Sequence, residues 1–256
     1  MGSPRVLILR APGTNCDRET AFAFEQAGAT PERVHWNRLR EQPGLLDQYQ
    51  ILVLPGGFSF GDDVAAGKIL AVQLRIFLFD HLARFRDQGK LILGVCNGFQ
   101  VLLKTGLLVP ARDNGTIPAT LAANTSGVYC DRWVKVQATL PNRCPFLTDY
   151  EHPWAVPVAH GEGRFVCDNH DTLMALDRAG LLVLRYARTA DDAGYNPNGS
   201  ALDVAGMCDA TGRVFGLMPH PERHLLPEQH PHWTRRGLTR HGDGFRLFHN
   251  AVQFVR

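Results

Sequence analysis

The 256-residue sequence predicts an α/β protein: a mostly parallel sheet covered on both faces by helices, with partly antiparallel strands added, in one domain over 1–256. Three observations point there. The apolar runs VLIL at 6–9, ILVL at 51–54 and LIL at 91–93 have the length and continuity of strands buried on both faces. Segments of helical period separate them, the alternation that builds a parallel sheet. Beyond Pro110 the pattern changes to short strand-like runs between turns.

Taken in order, 6–9 is the first strand and 11–15 (APGTN) the loop that leaves it. A helix over 17–27 stops at Gly28, and 31–36 reads as a second strand. Residues 37–50 carry no clear period. The strand at 51–54 runs into Pro55-Gly56-Gly57, and a long helix from about 65 to 86 precedes the strand at 91–93. Residues 99–103 begin the next helix. The runs 120–124, 129–137, 154–158, 173–176, 181–186 and 214–218 read as strands. A closing helix over 244–255 places Phe245, Phe248 and Val252 on one face. No shift in composition marks a linker. In sheets of this kind the active site lies at the carboxyl ends of the strands, where 54–57 and 95–97 emerge.

Composition narrows the function. A formal charge of +2 with scattered basic residues argues against a nucleic-acid partner. Six cysteines without C-x-x-C or a disulfide-framework spacing fit a reducing cytoplasm. No apolar run reaches membrane-spanning length, and no leader-like segment opens the chain.

Cys96 is the centre of the chemistry. Gly94 and Gly98 bracket it as G-x-C-x-G between a strand and a helix, the pattern of the strained elbow that presents a nucleophile. The helix start turns unpaired N–H groups toward the sulfur and favours thiolate. A thiol nucleophile needs a base and the base an orienter. His220 and Glu222, two apart in an extended Pro-flanked stretch, can stand together in those roles. The N–H groups of Gly57 and Asn97 are the candidate oxyanion donors.

Four rival patterns are weaker. Gly57 to Gly61 matches G-x-S-x-G around Ser59, but Pro55-Gly56 interrupts the strand that should enter that elbow. Gly61 to Lys68 resembles a phosphate loop with one residue too many, and Ile69 replaces Ser or Thr. His220-x-Glu222 lacks the P-C-x-x-C of zinc deaminases. The tract with His220, Glu222, His224, His230 and His232 has metal-binding residue types, but its prolines disfavour convergence, and no metal is assigned.

The motifs PGTNCDRE at 12–19, PGGFSFGDD at 55–63, GVCNGFQVL at 94–102, NTSG at 124–127, AHGEGRF at 159–165, NPNGS at 196–200 and MPHPER at 218–223 cover nearly the whole chain. Together they resemble the class I, triad-type glutamine amidotransferases, and among these the glutaminase subunits of phosphoribosylformylglycinamidine synthase. The resemblance implies an α/β sandwich with a flavodoxin-like core. It implies a glutamine-hydrolysing Cys96–His220–Glu222 triad, with Gln100 holding substrate glutamine and Ser126 and Gly127 lining its pocket. It places 159–165 and 196–200 near that pocket or the synthetase contact. It also implies two partners, an ATP-dependent synthetase subunit and a small bridging subunit. No cofactor is expected in this chain; ATP and Mg belong to the synthetase. Two further readings stay open: a triad glutaminase serving another synthase, and a catalytically silent regulatory subunit.

Overall fold

A computed structural model describes residues 2–188 and 194–256. In chain order its strands and helices are β1 (Arg5–Arg10), α1 (Asp17–Gln26), β2 (Thr30–His35), α2 (Trp36–Glu41), β3 (Ile51–Leu54), α3 (Lys68–Phe77), α4 (Phe79–Asp87), β4 (Leu91–Val95) and α5 (Asn97–Thr105). There follow β5 (Ala119–Ala122), β6 (Cys130–Ala138), β7 (Trp154–His160), β8 (Arg164–Cys167), α6 (His170–Arg178), β9 (Leu184–Tyr186), β10 (Val204–Cys208), β11 (Val214–Leu217), α7 (Trp233–Arg236) and α8 (Phe245–Phe254).

Nine strands form one sheet in the order β2-β1-β3-β4-β11-β10-β9-β6-β7, and β5 pairs with β8 in a small second sheet. From β2 to β11 every pairing is parallel. From β11 to β7 every pairing is antiparallel. The parallel half is the α/β core the alternation predicts, and the antiparallel half is the addition expected after Pro110. β3, β4 and β11 are buried at every residue, which is why they read as unbroken apolar runs.

The chain leaves β1 toward β2 in one direction and β3 toward β4 in the other. Right-handed crossovers then place α1 and the α3–α4 pair on opposite faces. α1 packs with α8 through an edge-to-face contact of Phe24 and Phe248, ring centroids 5.1 Å apart. α3 packs with α5, and α5 lies over β3, β4 and β11. The reversal between β1 and β3 opens a crevice at the carboxyl edge of the sheet.

Several expectations are corrected. The helix expected over 65–86 is two helices, parted at Leu78, whose backbone leaves the helical region (φ −132°, ψ −1°) while its side chain is fully buried. No Gly or Pro announces that break, because tertiary burial causes it. The strand expected at 173–176 lies inside α6. Asn169 caps that helix by accepting the Thr172 N–H at 2.8 Å, and a four-residue apolar run cannot by itself separate strand from helix. Within the unassigned 37–50, α2 ends and a 3₁₀ turn, Pro43–Gln48, follows. β8 and β10 had no counterpart in the sequence reading. Among the described residues no helix is long and apolar enough to cross a membrane.

Candidate active site

Cys96 sits where β4 passes into α5 with φ 50° and ψ −107°, a left-handed backbone that a non-glycine residue holds only when its surroundings enforce it. They do so from both sides. The Cys96 N–H donates to the Leu217 carbonyl at 2.8 Å, and the Cys96 carbonyl accepts from Phe99 and Gln100 at 2.9 and 3.1 Å. The flanking glycines permit the approach: a Cβ on Gly98 would stand 1.8 Å from the Leu54 carbonyl oxygen, and one on Gly94 2.6 Å from that of Gly98. This is the predicted elbow. The thiol is nearly buried, and its sulfur lies 3.6 Å from the Ala159 carbonyl at the end of β7.

His220 follows β11 and is pinned to β7, its N–H donating to the Pro157 carbonyl at 2.8 Å. Its Nδ1 donates to Glu222 Oε1 at 2.6 Å, and both side chains are buried. The pair meets as predicted but by another geometry: residues Pro221–Arg223 form a 3₁₀ turn rather than an extended stretch, so the turn folds Glu222 back onto the ring. Burial pulls the His220 pKa down, but Glu222 and then the thiols of Cys96 and Cys16 outweigh it and hold the imidazolium well above the ordinary range. Nε2 is left without a hydrogen bond in the protein.

Gly57 bridges to Thr14 through its neighbours: the Phe58 N–H donates to Gly13 at 3.0 Å and the Asn15 N–H to Gly56 at 3.4 Å. That pairing leaves the Gly57 N–H out, as an oxyanion donor requires. Asn97 is the first residue of α5, where N–H groups lack helical partners. Gln100 is buried, with Oε1 accepting from Asn97 Nδ2 at 2.9 Å and Nε2 donating to the Glu162 carbonyl. Ser126 and Gly127 lie on an exposed turn, tied down where the Asn124 N–H donates to Gly161 at 2.9 Å. The same turn leads to Tyr129, whose pKa burial raises, with the Cys96 charge adding to the effect.

The motifs at 159–165 and 196–200 converge. Asn198 Nδ2 donates to the Gly163 carbonyl at 2.9 Å and approaches His160 Nε2 at 3.5 Å, while Asn124 Oδ1 accepts from His160 Nδ1 at 3.1 Å. Burial depresses the His160 pKa to about 4. This network holds the loop of Glu162, whose carboxylate accepts the Ala66 N–H at 3.2 Å. Two roles escaped the sequence reading. Glu162 links Gln100 to the loop before α3, and Cys16 stands beside His220. Both residues lie in quoted motifs, but only the fold brings them to the site.

Of the rivals, Ser59 opens a 3₁₀ turn, Ser59–Asp62, instead of following a strand, and its hydroxyl is buried. A cavity of about 1030 Å³ opens between Tyr150, Trp154, Arg236 and Arg246, with no triad residue in its lining.

An elbow thiol facing a buried His–Glu pair, at the carboxyl edge of a 2-1-3-4 parallel sheet, is the arrangement of the triad-type glutamine amidotransferases. Residues 3–255 match the family described as CobB/CobQ-like glutamine amidotransferase domain. Phosphoribosylformylglycinamidine synthase subunit PurQ of Dehalococcoides mccartyi is 42% identical over 257 aligned positions, covering 100% of this chain and 99% of that protein. The PurQ subunit of Thermus thermophilus is 41% identical over 86% of this chain and 89% of its own length. Among solved structures, a chain in PurLQS from Thermotoga maritima superposes with a TM-score of 0.75 at 31% identity, covering 99% of this chain and 100% of that one. A glutamine amidotransferase from the same organism shares the fold at a TM-score of 0.55 and 16% identity, over 92% of this chain and 83% of that one. The chain belongs to the PurQ family of glutamine amidotransferase subunits.

Proposed function

We propose that the chain is the glutaminase subunit of a phosphoribosylformylglycinamidine synthase. It hydrolyses glutamine to glutamate and ammonia and passes the ammonia to an ATP-dependent synthetase subunit, which converts formylglycinamide ribonucleotide to formylglycinamidine ribonucleotide in purine biosynthesis. The observation that carries this reading is the strained Cys96 elbow beside the His220–Glu222 hydrogen bond, in a chain about 40% identical to PurQ subunits along its length.

In this mechanism the Cys96 sulfur attacks the side-chain carboxamide carbon of glutamine. The Gly57 and Asn97 N–H groups take the charge that develops on the carboxamide oxygen. The His220 imidazolium, which Glu222 favours, protonates the departing nitrogen, and ammonia leaves a glutamyl thioester on Cys96. Neutral His220 then takes a proton from water, which attacks the thioester and releases glutamate. Gln100, Ser126 and Gly127 are assigned to the glutamine pocket. Both ends of the Gln100 side chain are held within the protein, so it contacts substrate by exchanging one of those bonds.

Ammonia is a nucleophile only while unprotonated, so the product must reach the synthetase without equilibrating with solvent. A PurLQS assembly of the Thermotoga kind supplies that acceptor, with a synthetase partner and a small bridging subunit. We assign this chain no cofactor, since its steps use side chains and backbone alone, and place ATP and Mg on the synthetase. A cytoplasmic location belongs to the same proposal and accords with six free cysteines. Cys96→Ala is the test. The reconstituted complex should lose glutamine-dependent product formation and keep ammonia-dependent formation; loss of both overturns the assignment.

A further inference from the structure

The cavity of about 1030 Å³ between Tyr150, Trp154, Arg236 and Arg246 takes no part in the triad chemistry. α1 follows Cys16, which stands beside His220, and ends at Gln26; β7 runs from Trp154 to the Ala159 carbonyl at the Cys96 elbow. Gln26 and Trp154 both line the cavity, so it lies at the far end of both elements. Along the ten residues of α1 that is roughly 15 Å from the catalytic pair. Four arginines, Arg236, Arg240, Arg246 and Arg256, line it against three carboxylates, Asp149, Glu151 and Asp243. Asp243 is already engaged, accepting the Ala155 N–H at 2.8 Å and the Arg236 guanidinium at 3.3 Å, while Asp149 and Glu151 stand exposed at the rim. Arg246 and Arg256 donate hydrogen bonds only to the backbone carbonyls of Asp149 and Gly28, and Arg240 makes no hydrogen bond or ion pair among the described residues. Three guanidiniums around one cavity therefore lack a carboxylate partner.

Two further features share the same walls. Trp154 is 5% exposed, and its indole N–H is buried without an acceptor, a costly omission for a polar group. On the α8 side the rings of His241 and Phe245 stack 3.9 Å apart and within 10° of parallel, and His249 follows one helical turn on, 5.8 Å from Phe245. His241 and Phe245 are half-buried and His249 is exposed, so this column keeps ring surface open to the cavity. α8 itself begins at Phe245, and the positive end of this ten-residue helix adds to the field of the arginines.

We infer that this cavity binds a nucleoside phosphate. Forked guanidinium donors match the geometry of phosphate oxygens, and Arg240 and Arg246 are the pair with that capacity uncommitted to any carboxylate. The ring column offers the surface on which a base stacks, a contact open to every base because each has a π face. The volume stands at the upper end of the roughly 300–1,000 Å³ usual for small-molecule sites, which leaves room for base, sugar and phosphate together. A lone inorganic anion would engage the arginines but leave the rings unused. A cation is disfavoured, because the most enclosed carboxylate, Asp243, is held by Arg236 and the Ala155 N–H. None of these residues comes from the phosphate-loop-like stretch at 61–68. The inference goes beyond the glutaminase reading and does not rest on it.

The full chain, in phosphate-free buffer, is titrated by calorimetry with AMP, pyrophosphate and adenosine, as wild type and as an Arg240→Ala/Arg246→Ala double variant. The expected result is one AMP per chain, bound roughly tenfold or more tighter than pyrophosphate or adenosine, with a loss of roughly tenfold or more in the double variant. Both substituted positions are exposed, and an unchanged Tm reports that the variant folds. Binding of AMP should weaken as salt rises, and saturating glutamine should leave it unchanged. Hydrogen exchange on wild type needs no variant: AMP should protect amides within 149–154 and 236–249. Pyrophosphate bound as tightly as AMP overturns the nucleoside class. AMP binding that the folded double variant retains in full, that glutamine competes away, or that protects amides only elsewhere overturns the site, as does the absence of AMP binding at millimolar concentration.

Discussion

Asn97, the residue after the elbow cysteine, accepts the backbone N–H of Ser59 on its side-chain oxygen at 3.0 Å. Its amide nitrogen donates to Asp62 Oδ1 at 3.1 Å and to Gln100 Oε1 at 2.9 Å. One buried side chain thus fixes the loop after β3 to the helix that carries the nucleophile, and with it the spacing of the two oxyanion donors. Asn97→Ala leaves the buried Ser59 N–H and Gln100 oxygen without this partner. At about 1–3 kcal/mol for each of these two stranded groups, the folded state should lose roughly 2–6 kcal/mol in urea unfolding.

Gly98 and Gly56 separate packing from chemistry. In Gly98→Ala the added carbon meets backbone, 1.8 Å from the Leu54 oxygen, and relief would require parting β3 from α5. A cost of roughly 3 kcal/mol or more is expected, read as lost soluble protein or a lowered Tm. In Gly56→Ala the nearest atoms to the added carbon belong to the side chains of His220 and Cys16, not to backbone. The fold should survive while kcat for glutamine hydrolysis falls roughly 100-fold, the scale of a misplaced catalytic group.

The Glu222 carboxylate is the leading influence that raises His220 against burial. Glu222→Gln should therefore move the His220 titration to lower pH, seen by NMR of the imidazole or as a shifted limb in the pH dependence of kcat/KM. Stability carries the same sign. A histidine raised in the folded state stabilises it fully below about pH 6.5 and loses that contribution as pH rises through the folded value. The wild type should show this loss and Glu222→Gln should lack most of it.

His160 works in the opposite direction. Burial lowers it to about 4, and protonation would set an Nε2–H against the Asn198 amide donor. Its neutral form contributes fully above about pH 6.5, and that contribution is lost as pH falls toward about 4. The difference is roughly 3 kcal/mol at the acid end. Urea unfolding across this window should show the slope, and His160→Gln should flatten it.

Where a residue's role was local, the sequence displayed it. The elbow was legible because its glycines and flanking apolar strand are contiguous, and His220 and Glu222 because two positions separate them. β3, β4 and β11 announced themselves through unbroken burial. Roles that depend on topology were hidden. Cys16 reaches His220 only because β1 and β11 deliver both residues to one sheet edge, and Glu162 reaches Gln100 only because β7 ends at the elbow, its Ala159 carbonyl 3.6 Å from the Cys96 sulfur. The break at Leu78 and the helix over 173–176 were invisible for a related reason. Burial set the first, and a cap three residues upstream of Thr172 set the second.

The most direct test of the Cys96 nucleophile is treatment of the protein with a glutamine-mimicking electrophile, followed by mass-spectrometric mapping. Modification is expected at Cys96 and should be suppressed by excess glutamine, in the subunit alone or with its synthetase partner present. Modification at Ser59, or at Cys96 with no protection by glutamine in either setting, would contradict it.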